Sequence, residues 1–246
     1  MLIKIDGKEC GCKHGEFILE VAKRNGIEIP NLCHHEGLPG QGCCRVCIVE
    51  VEINGWRNIV TACVYPLERE CEVFTNSPRV IKQRAMVLAL LHSLAPGSSE
   101  VSELCEKYNV PSYRRFVKKN DTKCILCGLC AKACESLGTG AISTVNRGTG
   151  KAVTTPYGEP SYECVGCASC AKVCPTGAIM VEEGAGSRKI WGKKIPLLKC
   201  KKCGEPAGTY MELRRAAEKL GEGMPELCEA CRKKEIAEKL ASIYGY

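Results

Sequence analysis

Two runs of four cysteines share the spacing C-x2-C-x2-C-x3-C, which is suited to holding iron. The first run contains Cys124, Cys127, Cys130 and Cys134, and the second contains Cys164, Cys167, Cys170 and Cys174. In this spacing three thiolates bind one [4Fe-4S] cluster, and the fourth cysteine of each run ligates the other cluster. The sequence therefore predicts one cluster on Cys124, Cys127, Cys130 and Cys174, and a second on Cys134, Cys164, Cys167 and Cys170. Such clusters transfer single electrons.

A third set of cysteines lies nearer the N-terminus and has the order expected of a [2Fe-2S] site. Its members are Cys33, Cys44, Cys47 and Cys63. The first gap is ten residues long, so the site does not match the C-x4-C-x2-C spacing of plant-type ferredoxins. Cys43 adjoins this set, but only Cys44 keeps the two-residue gap to Cys47, and we therefore predict Cys44 as the ligand.

The C-terminal part carries two further C-x2-C pairs, separated by 24 residues. They comprise Cys200 and Cys203, then Cys228 and Cys231. Zinc accepts tetrahedral sites made of four cysteines, and Gly204 beside the first pair is typical of a zinc knuckle. We predict a zinc site here, and a third [4Fe-4S] cluster is the alternative.

The cysteine content indicates metal ligands rather than disulfides. The chain has 21 cysteines in 246 residues, most of them in C-x2-C clusters that act as thiolate ligands in a reducing cell. Neither a leader sequence nor an apolar stretch of about 20 residues is visible, so we expect a cytoplasmic chain without direct membrane insertion. The remaining Cys10, Cys12, Cys71 and Cys105 are interpreted as small buried hydrophobic residues.

The net charge argues against nucleic acid as a partner. The formal value of +7 counts every cysteine as neutral. Four metal sites with four thiolates each, at about −2 per site, bring the loaded protein to roughly −1. A zinc-ribbon nucleic-acid binder also lacks interleaved aromatic residues in the basic tail.

The hydrophobic pattern predicts an α+β chain with four domains. Residues 1–76 are expected to form a β-grasp [2Fe-2S] domain, since alternating strands meet at Asp6-Gly7 and Asn54-Gly55 turns and enclose a helix. Residues 77–122 read as a helical connector that starts at Ser77-Pro78. Residues 123–183 form the two-cluster ferredoxin repeat, and 184–246 a zinc-ribbon-like module with a helix over 211–220. The stretch 184–187 is interpreted as a linker.

The chain resembles the N-terminal part of the large iron–sulfur subunit of NADH dehydrogenases, and shorter relatives in NAD(P)-linked hydrogenases and formate dehydrogenases. The resemblance rests on residues 29–35, 42–51, 61–63 and 174–179, and it covers about three quarters of the chain. Many members carry a further [4Fe-4S] cluster on one histidine and three cysteines between the two modules. Here that stretch holds only His92 and Cys105, so we predict that this cluster is absent.

The resemblance implies an electron-transfer subunit with no catalytic residues of its own. Its partners would be a flavin subunit acting on NAD(P)H, a small 2Fe-2S subunit and a catalytic subunit, with hydrogenase expected first. A formate dehydrogenase or a tungsten aldehyde oxidoreductase is an alternative complex. A free ferredoxin-like shuttle or redox sensor is a further alternative. The sequence contains no G-x-G-x-x-G fingerprint for a dinucleotide.

Overall fold

The computed structural model describes residues 1–111 and 121–245, which fall into two compact units. The first unit comprises Met1–Lys132 and Val173–Ala178, and the second comprises Ala133–Lys172 and Ile179–Tyr246. The division runs through the cysteine repeat, because Cys174 belongs to the first unit and Cys134 to the second. Residues 112–120 of the predicted connector, and Tyr246, lie outside the described residues. The four domain boundaries given above remain predictions.

The first unit begins with a five-stranded sheet that wraps one helix. The elements are β1 (Leu2–Ile5), β2 (Lys8–Gly11), α1 (Ile18–Arg24), β3 (Ile48–Ile53), β4 (Trp56–Thr61) and β5 (Glu72–Phe74). The strand order is β2-β1-β5-β3-β4, with β1 and β5 parallel and the other neighbours antiparallel. Both hairpin turns adopt positive φ at an Asx-Gly pair, which suits the twist of the flanking strands. The predicted β-grasp is confirmed.

Two helices follow the sheet in the first unit and cover its cysteine loops. They are α2 (Pro78–Leu94) and α3 (Ser99–Lys107). Ser77 and Ser98 cap them, each accepting a hydrogen bond from the backbone N–H three residues on. Their apolar faces share one buried core with three cysteines of the candidate sites, Cys33, Cys44 and Cys127. The connector helices therefore shield the cysteine loops from water.

The helix α4 (Leu129–Ser136) follows the first cysteine loop, and the second unit holds the later elements. These are β6 (Ser143–Val145), β7 (Ala152–Thr154), α5 (Ser169–Lys172), β8 (Val181–Gly184), β9 (Ser187–Ile190), β10 (Lys193–Lys199), β11 (Pro206–Thr209), α6 (Tyr210–Leu220) and α7 (Glu229–Tyr244). The strands β8 to β11 form an antiparallel sheet in the order β11-β10-β9-β8. No helix among the described residues combines the length and apolarity needed to cross a membrane.

The interpretation of residues 184–187 as a linker is wrong. Gly184 pairs with Ser187 across a tight hairpin, and the two residues between them, Ala185 and Gly186, have φ of 49° and 71°. Such a two-residue turn with positive φ continues a twisted ribbon rather than breaking it. Small residues therefore mark a turn inside the sheet at this point.

Candidate metal centres

The first candidate centre gathers Cys33, Cys44, Cys47 and Cys63, and each is at most 3% exposed. The backbone N–H of Cys44 lies 3.3 Å from the Cys33 Sγ and donates to it. Hydrogen bonding with Cys33, together with burial, raises the pKa of the Cys44 thiol far above its ordinary value. Four buried thiols become thiolates together only when positive charge compensates them, and a metal centre supplies that positive charge. The site therefore fits a metal cluster.

The adjacent residues Cys43 and Cys44 have different surroundings. Cys43 is exposed and its Sγ donates to the Gln41 carbonyl, whereas Cys44 is buried. Gly40 passes so close to the chain that a Cβ there would lie 2.8 Å from the Cys63 carbonyl oxygen. The geometry therefore favours Cys44 as the member of the set.

Arg84 is a component of this centre that the sequence did not reveal. It is fully buried, and its guanidinium donates to the Val46, Ile48 and Thr75 carbonyls at 3.1, 2.6 and 3.0 Å. It also donates to the Asn76 side chain at 3.0 Å. Burial lowers the pKa of Arg84, and among the described residues no carboxylate is its hydrogen-bond partner. A positive charge thus lies beneath the Cys44–Cys47 loop.

The second candidate centre contains Cys124, Cys127, Cys130 and Cys174, all within the first unit. The Cys174 Sγ accepts from the Ala178 N–H at 3.3 Å, and the Cys124 Sγ accepts from the Leu126 N–H at 3.4 Å. Burial raises the pKa of the Cys127 thiol to about 11, and the thiols of Cys174 and Cys33 add to that rise. Cys33, Cys44 and Cys127 belong to one buried core, so the first and second centres are neighbours.

The third candidate centre belongs to the second unit. Its cysteines line a single cavity together with apolar side chains: Cys134, Cys164, Cys167 and Cys170. The Cys134 Sγ lies 3.2 Å from the Ala141 N–H, which donates to it, and 2.9 Å from the Thr139 hydroxyl. A mainly apolar cavity with thiols and N–H donors on its wall suits an iron–sulfur cluster.

The two cysteine repeats share a backbone conformation as well as a spacing. Leu126 and Gly166 occupy equivalent places and have φ of 55° and 72°, and Gly128 and Ala168 do so at 78° and 57°. Residues with positive φ turn the chain sharply, so that successive cysteines face one centre. Leucine and alanine adopt this conformation at a cost, which the surrounding structure must offset.

The C-terminal sheet holds the cysteine loop of the third centre in place. The Thr209 hydroxyl donates to the Val165 carbonyl, and the Arg188 guanidinium donates to the Gly166 carbonyl. The Lys193 ammonium donates to the carbonyls of Ser161, Tyr162 and Cys164, the last at 2.8 Å. The predicted C-terminal module is therefore a support for the third centre.

The fourth candidate centre brings together Cys200, Cys203, Cys228 and Cys231, whose sulfur atoms all lie within 4.8 Å of one another. The sulfurs of Cys203 and Cys228 are 3.6 Å apart. Four thiolates around one zinc at about 2.3 Å stand roughly 3.8 Å from each other in a tetrahedron. The backbone N–H of Cys228 lowers the pKa of the Cys200 thiol to about 6. This arrangement suits one metal ion.

The other cysteines are placed as structural residues. Cys10 and Cys12 lie in the hydrophobic core of the sheet, and Cys71 packs against it. Cys105 packs against the second core and donates to the Leu88 carbonyl.

Comparison with protein families identifies the regions that hold the first three centres. A family described as "2Fe-2S iron-sulfur cluster binding domain" matches residues 2–78, and one described as "4Fe-4S dicluster domain" matches residues 123–178. The first match covers the β-grasp sheet and the first centre. The second covers both repeats.

Three relatives are similar over most of this chain. The NADP-reducing hydrogenase subunit HndD of Solidesulfovibrio fructosivorans is 35% identical, over 74% of this chain and 36% of its own length. The NADPH-Fe(3+) oxidoreductase subunit alpha of Geobacter sulfurreducens is 33% identical, over 72% and 24%. An NADH-quinone oxidoreductase subunit of Rhizobium meliloti is 31% identical, over 72% and 24%. The chain thus spans only about a quarter to a third of these relatives.

A solved structure shares the fold. It is described as the crystal structure of an NAD+-reducing [NiFe]-hydrogenase in the H2-reduced state, and it aligns with a TM-score of 0.62 at 24% identity. The alignment covers 72% of this chain and 85% of that one. The predicted resemblance to hydrogenase and NADH dehydrogenase subunits is confirmed, while that to formate dehydrogenase subunits stays a prediction: the chain carries a 2Fe-2S domain and a 4Fe-4S dicluster domain, and it is homologous to subunits of an NADP-reducing hydrogenase and an NADH-quinone oxidoreductase.

Proposed function

We propose that this chain relays electrons between a flavin subunit that acts on NAD(P)H and a catalytic subunit, with a hydrogenase as the first candidate. The observation that carries the proposal is the packing of the first and second centres into one buried core, which contains Cys33, Cys44 and Cys127. Adjacent redox centres are what a relay requires. An iron–sulfur cluster supplies one-electron chemistry when bound.

The proposed ligands are the three cysteine sets described above. The [2Fe-2S] set is Cys33, Cys44, Cys47 and Cys63. The two [4Fe-4S] sets are Cys124, Cys127, Cys130 and Cys174, then Cys134, Cys164, Cys167 and Cys170. Their surroundings do three things: apolar side chains exclude water, backbone N–H groups stabilise thiolate charge, and Arg84 adds a buried positive charge. Each of these adjusts a cluster potential.

The proposed partners follow from the relatives. HndD is by its name a subunit of an NADP-reducing hydrogenase, and the Geobacter relative is a subunit of an NADPH-Fe(3+) oxidoreductase. We therefore expect the chain to assemble with a flavin subunit, a small 2Fe-2S subunit and a catalytic subunit. A cytoplasmic location fits a chain rich in thiol ligands, because thiols stay reduced in the cytoplasm.

For the fourth centre we propose one zinc ion held by Cys200, Cys203, Cys228 and Cys231. The support is the short distance between the four sulfurs, all within 4.8 Å. A cubane binds each thiolate through a different iron, and its ligands therefore stand further apart than those of a single ion. The role of the zinc is to hold β10, β11 and the start of α7 together.

Two measurements test this proposal. Metal analysis of the anaerobic chain should find about ten irons and one zinc, whereas about fourteen irons without zinc would indicate a third cubane at the fourth centre. Purification of the native protein under anaerobic conditions should recover a flavin subunit and a metal-containing catalytic subunit. A stable loaded monomer without partners would contradict the subunit role and favour a free electron shuttle.

A further inference from the structure

Trp191 has a polar group with no partner. Among the described residues, its indole Nε1 is the one buried side-chain nitrogen or oxygen without a hydrogen bond. Leaving a buried donor unsatisfied costs about 1–3 kcal/mol, so native structures rarely contain one. A buried N–H without a well-formed hydrogen bond therefore points to an acceptor close to the ring.

The backbone holds this ring in an unusual conformation. Trp191 and Gly192 form the two-residue turn between β9 and β10, because Ile190 pairs with Lys193. Trp191 has a φ of 51°, where glycine, asparagine and aspartate are the usual residues. A bulky side chain in this conformation is an outlier that suggests a constraint on the position of the ring.

The ring lies at the third centre. Trp191 lines the same cavity as Cys134, Cys164, Cys167 and Cys170. The same turn leads to Lys193, whose ammonium donates to the Cys164 carbonyl at 2.8 Å.

One backbone donor is matched at the two repeats. The Ala141 N–H donates to the Cys134 Sγ at 3.2 Å, and the equivalent Ala178 N–H donates to the Cys174 Sγ at 3.3 Å. The Trp191 indole has no counterpart at the second centre. The other tryptophan of the chain, Trp56, lies on β4 and is 79% exposed. The hairpin between β9 and β10 therefore distinguishes two otherwise similar sites.

We propose that the Trp191 indole N–H donates a hydrogen bond to a sulfur of the third centre, and thereby raises the reduction potential of that centre. This inference rests on the proposed [4Fe-4S] assignment of both centres. Reduction adds one electron and one negative charge, about −2 becoming −3 with four thiolates. A donor to sulfur stabilises the more negative form more strongly, and the positive charge of Lys193 acts in the same direction. Trp191 is thus a residue that tunes the potential, without touching any substrate.

The test is a dithionite titration of the full loaded chain, followed by electron paramagnetic resonance. Trp191→Phe removes the N–H and keeps an aromatic ring, and Trp56→Phe is the matched control. The comparison is made at the potential where half of the third centre is reduced in the unmodified protein. At that potential Trp191→Phe should show a roughly tenfold lower ratio of reduced to oxidised third centre. This ratio corresponds to a reduction potential that is lower by about 59 mV for one electron. The second centre and the control should titrate as before. Unchanged titration of both centres in Trp191→Phe would overturn the inference.

A second measurement needs no variant, in case Trp191→Phe fails to assemble. Labelling the two tryptophans with ¹⁵N in the indole should produce a nitrogen hyperfine coupling to one reduced [4Fe-4S] centre. Trp56 is too exposed to contribute such a coupling. Absence of the coupling would overturn the inference, whereas absence of any [4Fe-4S] signal from the unmodified protein would refute the cluster assignment itself.

Discussion

Replacing Arg84 by methionine tests how the first unit supports its cysteine loop. The substitution keeps a long side chain but removes the donors to three buried carbonyls, those of Val46, Ile48 and Thr75. Each carbonyl left without a donor costs about 1 kcal/mol at the low end of the usual range. We therefore expect a loss of about 3 kcal/mol, which lowers the melting temperature of a unit of this size by roughly 10 °C.

The assay is thermal unfolding of the anaerobic loaded chain, followed by circular dichroism and by the visible absorbance of the clusters. Arg57→Met is a control in the same unit, because the Arg57 side chain is half exposed and its ion pair with Glu52 is partly solvated, and such pairs contribute less than roughly 1 kcal/mol. We expect Arg84→Met to melt well below Arg57→Met. Equal melting temperatures would show that the carbonyls find other donors and that Arg84 is not required for stability.

Three further predictions concern individual centres. Gly166→Ala should deplete the third centre of iron, because alanine is strained at the φ of 72° and a Cβ would lie 3.1 Å from the methyl of Thr209, whose hydroxyl donates to the Val165 carbonyl; Gly158→Ala, also at positive φ but in open space, should keep its iron in the same analysis. Cys44→Ser should abolish the [2Fe-2S] signal in electron paramagnetic resonance, and Cys43→Ser should leave it intact; the opposite result would move the ligand by one position. Cys203→Ser should release the zinc and speed bleaching of the third centre under air by several-fold, while the second centre bleaches at its normal rate. If both centres bleached at equal rates, the zinc site would not be required to stabilise the third centre.

The sequence predicted those features that depend on local patterns. The cysteine sets follow from short spacings, and the structure brings each of them together. The first β-hairpin was visible because strand alternation and an Asp6-Gly7 turn are encoded within a dozen residues. The start of α2 was predictable for the same reason, since Ser77 and the following proline form a local helix start.

Features that depend on distant parts of the chain were missed. The strand β5 is only three residues long and gains its identity by pairing with β1, nearly 70 residues earlier. The sheet β8 to β11 was hidden because its strands are rich in lysine and contain Pro196, and because its first turn resembles a linker. Arg84 lies on a helix where arginine normally faces water, and its burial follows from carbonyls 36 and 38 residues away.

Spin quantification of the anaerobic chain after full reduction tests the central claim most directly. The claim is that twelve cysteines in three sets hold one [2Fe-2S] and two [4Fe-4S] clusters. It predicts about three unpaired electron spins per chain, one from each reduced cluster, with signals of both cluster types. A colourless preparation that gives no signal after reduction would contradict the claim.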